Sequence, residues 1–258
     1  MRRETGLPEA IWILAGLAVL VASALQTATG AGLGLIAGPI LLFAMGSNAA
    51  IHVAVLLNLA LSLALLPSER AELPFAPLTW LSVGAFFGLP LGALALSLAP
   101  ISALELAAGL AVTLGGVQML VALRQAPPPR TGGNRSAGVI GFGLLAGMMT
   151  AALAIPGPAA IWGLARTTLS ATQVRAVLRA FFVLAYSFTL AIHAALGMPW
   201  GEILLATGWM LPSLIAGAAA GIFIKGRVSE LTLRRAFLVM LLSMGIALLI
   251  NSAIRFSG

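Results

Sequence analysis

The sequence predicts an all-α, polytopic integral membrane protein made of two homologous halves, with about eight to ten membrane-inserted helices and a broken or re-entrant helix in each half. Three observations carry that expectation. Of the 258 residues, 60% are hydrophobic and only 8% are charged, with a mean hydropathy of +1.08. No water-facing domain needs that much apolar surface, and several runs approach the roughly 20 residues that cross a bilayer. Glycine and proline then interrupt an apolar run in each half, the best sequence pointer to a transporter's substrate site.

The apolar segments fall at 10–28, 33–45, 48–66, 77–98, 101–123, 138–155, 158–168, 173–196, 203–224 and 231–254. Met1-Arg-Arg and the first run, with Ala22-Ser-Ala24 inside it, imitate a signal peptide. Retention is the better expectation, because Pro8 suits a first helical turn and the apolar character continues far past any cleavage point. The first segment leads into Gln26-Thr-Ala-Thr-Gly-Ala-Gly-Leu-Gly-Leu-Ile-Ala-Gly-Pro39, inside a run from Ala10 to Ala50 without a charged residue. Glycine costs about 1 kcal/mol and proline about 3 kcal/mol in a helix interior, so a helix should break here at membrane depth. Backbone released there must be buried by protein or line a wet cavity, and open helix N-termini favour anions. Segment 33–45 is too short to span unaided. So is 158–168, which follows a second break at Ala154-Ile-Pro-Gly-Pro-Ala159. Both read as half-helices or re-entrant pieces.

Between the halves lies Arg124-Gln-Ala-Pro-Pro-Pro-Arg-Thr-Gly-Gly-Asn-Arg-Ser136, a polar linker. The organisation is therefore a first transmembrane repeat at 1–123, a cytoplasmic linker at 124–136 and a second repeat at 137–258. Gly84-x3-Gly88-x3-Gly92 recurs as Ser213-x3-Gly217-x3-Gly221 at an offset of 129, Gly115 as Gly245 at 130, and Gly38-Pro39 as Gly157-Pro158 at 119. Several markers in one order point to duplication rather than chance. The small-x3-small triplets themselves are expected to be scaffold, letting helices approach closely. The arginines of the linker, with Lys225, Arg227, Arg234 and Arg235, place both loops in the cytoplasm by the positive-inside rule. Five crossing elements per half then make the repeats inverted, at the cost of Arg2 and Arg3 facing outward. Four crossings per half in parallel orientation is the alternative.

The residues singled out for substrate contact are Gln26, Thr27, Thr29, Gly30, Gly32, Gly34 and Pro39 at the first break, Asn58, Gly157 and Pro158 at the second break, and Arg175 and Arg179. Glutamine and threonine can donate to an oxyanion or cap released backbone. Arg175 and Arg179 share one face in the opening turns of a helix that starts near Ser170 or Thr172. Cations are disfavoured at that end of a helix dipole, so a compensating anion is expected, unless both side chains snorkel to the cytoplasmic surface. Asn58 suits interhelical hydrogen bonding as well as ligand contact. Trp162 and Tyr186 can line a pathway, with aromatic packing the default, and His52 and His193 are expected to be isolated packing residues on apolar faces.

Several functions are excluded by what is missing. There is no cysteine and no aspartate, and only two histidines, so thiol chemistry, a histidine–carboxylate metal cluster and a catalytic triad have no residues to build them. No enzyme, metal or cofactor is expected. The net charge of +7 reads as topology rather than nucleic-acid binding. Within the spans the only carboxylates are Glu105 and Glu202, each in the first turn of its segment, which argues against an acid relay.

The ordered motifs resemble the TauE/SafE-type sulfite exporters, a bacterial permease family. The resemblance runs from about residue 10 to 254 and rests on Gly30-Ala-Gly-Leu-Gly34 with Pro39, Gly157-Pro158, Arg175, and the later glycines Gly88, Gly92, Gly115, Gly217, Gly221 and Gly245. Ala31 and Leu33 stand where the family often has further glycines. The resemblance implies a multi-pass transporter, of export type, in a bacterial inner membrane, moving sulfite or an organosulfonate by alternating access between the repeats. Its partners would be that small anion and the lipid bilayer, and a homodimer is compatible with it. A carrier of another metabolite or carboxylate, or a non-transporting membrane scaffold, is the alternative.

Overall fold

The structure, a computed structural model, describes residues 9–30, 32–68, 70–124 and 136–257. The readings that involve Arg2, Arg3, Pro8, Ala31 and the linker interior at 125–135 lie outside the described residues. Among the described residues ten α-helices follow one another: α1 (Glu9–Thr29), α2 (Leu33–Met45), α3 (Ala49–Leu65), α4 (Phe75–Leu98), α5 (Ile101–Arg124), α6 (Ser136–Leu153), α7 (Gly157–Leu164), α8 (Ala171–Ala195), α9 (Trp200–Ile224) and α10 (Glu230–Ser257). Among the described residues there is no strand, and eight helices are long and apolar enough to cross a membrane. The two that are not, α2 with 13 residues and α7 with 8, each follow a break. At 1.5 Å per residue they reach about 20 and 12 Å, against a hydrocarbon core of about 30 Å. Large apolar side chains such as Leu14, Phe86, Phe87, Trp209 and Phe223 face outward, as lipid as solvent demands.

Local sequence explains the boundaries. α8 starts at a capping box: the Ser170 hydroxyl accepts from the Gln173 N–H at 3.2 Å, and the Gln173 side chain accepts from the Ser170 N–H at 3.0 Å. Pro39, Pro90 and Pro212 sit inside α2, α4 and α9 without ending them. The reversal predicted around Gly30–Pro39 is thus confined to its glycines. α7 ends four residues before the apolar segment that announced it does, because Ala165–Thr167 turn off the helix and tie back to Ile161, Gly163 and Leu164.

Small residues set the packing. Gly84, Gly88 and Gly92 of α4 lie against the backbone of α6 at Ile140, Leu144 and Met148, while Gly143 and Gly147 lie against Leu81 and Ala85. These two helices run parallel, one turn of contact for each turn of helix. α1 and α9 pair the same way, Gly217 against Leu20 and Gly221 against Ala24. By contrast α5 and α10 are antiparallel: Gly109 meets Leu248 and Leu249, whereas Gly116 meets Leu241 and Leu242. α3 and α8 are antiparallel too, with the end of α3 near Arg179 and its start near His193. A Cβ at most of these glycines would strike neighbouring backbone, which is the close approach that membrane helices use in place of a hydrophobic drive. α2 is buried along nearly its whole length, packed against α1, α3, α5 and α10.

Candidate functional site

The first break is a turn made by glycine and closed by glutamine. Gly30 and Gly32 hold φ values of 95° and 151°, the half of backbone space that a Cβ disfavours. The Gly30 N–H still donates to the Gln26 carbonyl at 2.8 Å, and the Ile36 N–H to the Gly32 carbonyl at 3.1 Å. Between them the buried Gln26 side chain reaches back, its Oε1 accepting from the Leu33 N–H at 2.8 Å. Gln26 therefore caps α2 and satisfies one of the amides that a helix start leaves open. Thr29 bonds back to the Leu25 carbonyl at 2.8 Å. Thr27 is buried with its hydroxyl unpartnered, beside Gly221 of α9.

The second break turns on Ala154, the one non-glycine among the described residues at positive φ, 58°. An L-residue there costs roughly 1–2 kcal/mol. Three contacts hold it: its N–H donates to the Thr150 carbonyl at 2.9 Å, the Tyr186 hydroxyl donates to its carbonyl at 3.1 Å, and Gly34 of α2 lies so close that a Cβ there would collide with that same carbonyl oxygen. Pro156 then opens α7, with Gly157 and Pro158 as its first residues.

The two breaks consequently face one another. Between them lies a small cavity of about 10 Å³ lined by Gln26, Gly32, Gly34, Leu35, Asn58, Ile155, Pro156, Gly157, Phe182 and Tyr186, every one of them buried. A single water needs about that much room. The opening turns of both α2 and α7 border it, and helix amides lack intrahelical acceptors in their opening turns. Asn58 gives its amide N–H to the Ala54 carbonyl at 2.8 Å and keeps an unpartnered Oδ1.

Of the residues singled out from sequence, Gln26, Gly32, Gly34, Asn58 and Gly157 meet at this cavity. The others lie outside its lining. Pro158 packs away from it, its ring 3.4 Å from where a Gly115 Cβ would stand. Pro158 also has no N–H, so the amides on offer at the second break are its neighbours'. Pro39 is buried further along α2. Thr27, Thr29 and Gly30 belong to the turn above.

The structure places both arginines beside the first break. Arg179 is buried, and its guanidinium donates to the Thr27 carbonyl and to the Leu65 carbonyl, both at 3.4 Å. These lie in the last turns of α1 and α3, where a helix presents its negative end. Two helix C-termini thus face its charge. Arg175 is half-buried, its aliphatic stem packed on Gly30, with Cγ 3.0 Å from the position of a Gly30 Cβ.

The sequence places Ile155 and Pro156 in the second break without singling them out for contact, makes packing the default for Tyr186, and draws no attention to Phe182. The available signal was the i, i+3, i+7 stripe of Arg179, Phe182 and Tyr186 on one face of α8. His52 and His193 are not isolated: their rings meet edge to face with centroids 4.7 Å apart.

A family model described as Sulfite exporter TauE/SafE matches residues 15–248, nearly the whole chain. No curated protein and no solved structure matches.

Proposed function

The chain belongs to the TauE/SafE sulfite exporter family, and from that premise we propose that it carries a small oxyanion, sulfite or an organosulfonate, outward across a bacterial inner membrane. The observation that carries this reading is the convergence of two helix breaks, one from each half of the chain, on one buried cavity. Amides in the opening turns of α2 and α7 would bind the anion's oxygens, as helix N-termini do. Gln26 and Asn58 shape the cavity walls. Arg175, at the start of α8, would draw the anion toward Gly30 from the cytoplasmic side.

The packing pattern supports two inverted repeats, α1–α5 and α6–α10. The first helix of each half lies parallel to the fourth of the other, α1 with α9 and α6 with α4. Third pairs with third and fifth with fifth, both antiparallel. A two-fold relation that exchanges two helices and reverses them has its axis in the membrane plane, the symmetry of many secondary carriers. The cavity has room for about one water, so admitting an anion requires the two breaks to part. Alternating access then follows from one repeat moving against the other. Leaving an inside-negative cell, each negative charge gains about 2.3 kcal/mol per 100 mV.

The test is flux into or out of proteoliposomes for sulfite, thiosulfate, short sulfonates and size-matched carboxylates at several membrane potentials. Saturable flux of a sulfur anion is the expected result. Preference for a carboxylate would move the substrate class. No flux of any member, from folded and inserted protein, would sink transport in favour of a membrane scaffold.

A further inference from the structure

His52, in the opening turn of α3, and His193, in the closing turn of α8, are both buried, and their rings meet at an interplanar angle of 72°. Nδ1 of His52 lies 3.0 Å from the Asn48 carbonyl oxygen. A carbonyl only accepts, so Nδ1 carries the proton and Nε2 keeps its lone pair in the neutral ring. His193 makes no closely aligned hydrogen bond through either ring nitrogen, and its polar neighbour is the Ala151 backbone of α6, although a neutral imidazole must carry one N–H. Buried polar groups are nearly always paired, and each exception calls for a reason.

The same face of α8 carries Tyr186, Thr189 and His193, spaced i, i+3 and i+7, all buried, and the Thr189 hydroxyl is unpartnered as well. Tyr186 lines the cavity between the breaks, as does Asn58, which lies on the same helix as His52. A buried polar file thus runs from the cavity to the histidine pair. The elements packed around the pair bring it no fixed charge: α3, α4 and α6 contain no Asp, Glu, Lys or Arg. On α8 the charged residues are Arg175 and Arg179, toward the opposite end, and α9 contributes Glu202, which is exposed.

We propose that the His52–His193 pair is a proton-binding site that takes up one proton and is coupled, along Thr189 and Tyr186, to anion binding in the cavity. An imidazolium on the ring whose edge meets the other's face rests against a π face, which favours a cation. A second proton is opposed by the like charge 4.7 Å away. Seven residues of helix separate His193 from Tyr186 by about 10 Å. At that range one added charge tightens anion binding about tenfold in an effective dielectric of about 20. The linkage is reciprocal, so a bound anion favours the proton equally. The coupling rests on the anion reading above, whereas the proton site stands without it.

Two measurements separate them. Imidazole ¹⁵N NMR in nanodiscs, without anion, follows the wild-type protein, His52→Gln and His193→Gln between about pH 4 and 8. The expected result is a coupled titration, one proton entering per pair, that becomes a single shifted step when either partner is removed. Rings that titrate independently, or that both stay neutral over the range, overturn the site. Ethanesulfonate binding is then measured over the same range, where that ligand remains a monoanion and any pH dependence belongs to the protein. Binding about tenfold tighter at the acid end in wild type, and flat in His193→Gln, is expected. Flat wild-type binding overturns the coupling. Absent binding beside an intact coupled titration overturns the anion reading and the coupling with it, and supports the proton site.

Discussion

At the first break the chain reverses through Gly30 and Gly32, both at positive φ, and a side chain from the preceding helix, Gln26, caps the next one. At the second the reversal falls on Ala154, a residue with no freedom to spare there, held by Tyr186 from α8 and by the bare face of Gly34 from α2. The first turn is supported by its own neighbourhood in sequence. The second is imposed by elements distant in the chain, one of them the first break itself. Strain of this kind persists only where the surroundings over-determine it, and it gathers where structures move. The asymmetry makes Gly34 the common point of both breaks.

Substitution at that point should have the largest effect. Gly34→Ala places a methyl group into the Ala154 carbonyl, a backbone atom that cannot swing aside. A loss of about 1–3 kcal/mol is expected, read as a lower melting temperature in detergent, together with loss of flux. An unchanged melting curve would show that the two breaks are not pressed together. Gln26→Ala comes next, since it strands the buried Leu33 amide at a cost of about 1–3 kcal/mol. Gln26→Glu separates structure from transport: the acceptor returns and stability recovers, but a negative charge enters the cavity wall and anion flux should fall. Full activity in Gln26→Glu would remove this cavity from the anion path. The smallest effect has the opposite sign. Ala154→Gly relieves the left-handed strain and gives part of it back as unfolded-chain entropy, for a net gain of up to about 1 kcal/mol. A loss of stability there would mean that the Ala154 methyl group packs usefully and that the turn is less strained than its φ implies.

Arg179 changes meaning between sequence and structure. In sequence its place in the opening turns of a helix calls for a compensating anion. With its guanidinium on the Thr27 and Leu65 carbonyls, Arg179→Ala also unties the ends of α1 and α3, so a transport defect in that variant does not by itself report anion contact.

Composition and helix-breaking residues determined the polytopic all-α fold, all ten helical segments to within a few residues, the shortness of α2 and α7, and the start of α8 at its capping box. These are local matters: a residue's cost in a helix, and a run's length against a bilayer, are properties of the stretch that contains it. Tertiary structure alone decided that the reversal after α6 falls on Ala154 rather than on the Pro-Gly-Pro that follows, that Gly34 seats against it, that Arg179 answers two helix ends, and that His52 meets His193. Each of these depends on which helix lies beside which. In a chain of apolar, glycine-marked helices many pairings look alike in sequence, and the choice among them is made by close packing between segments more than a hundred residues apart.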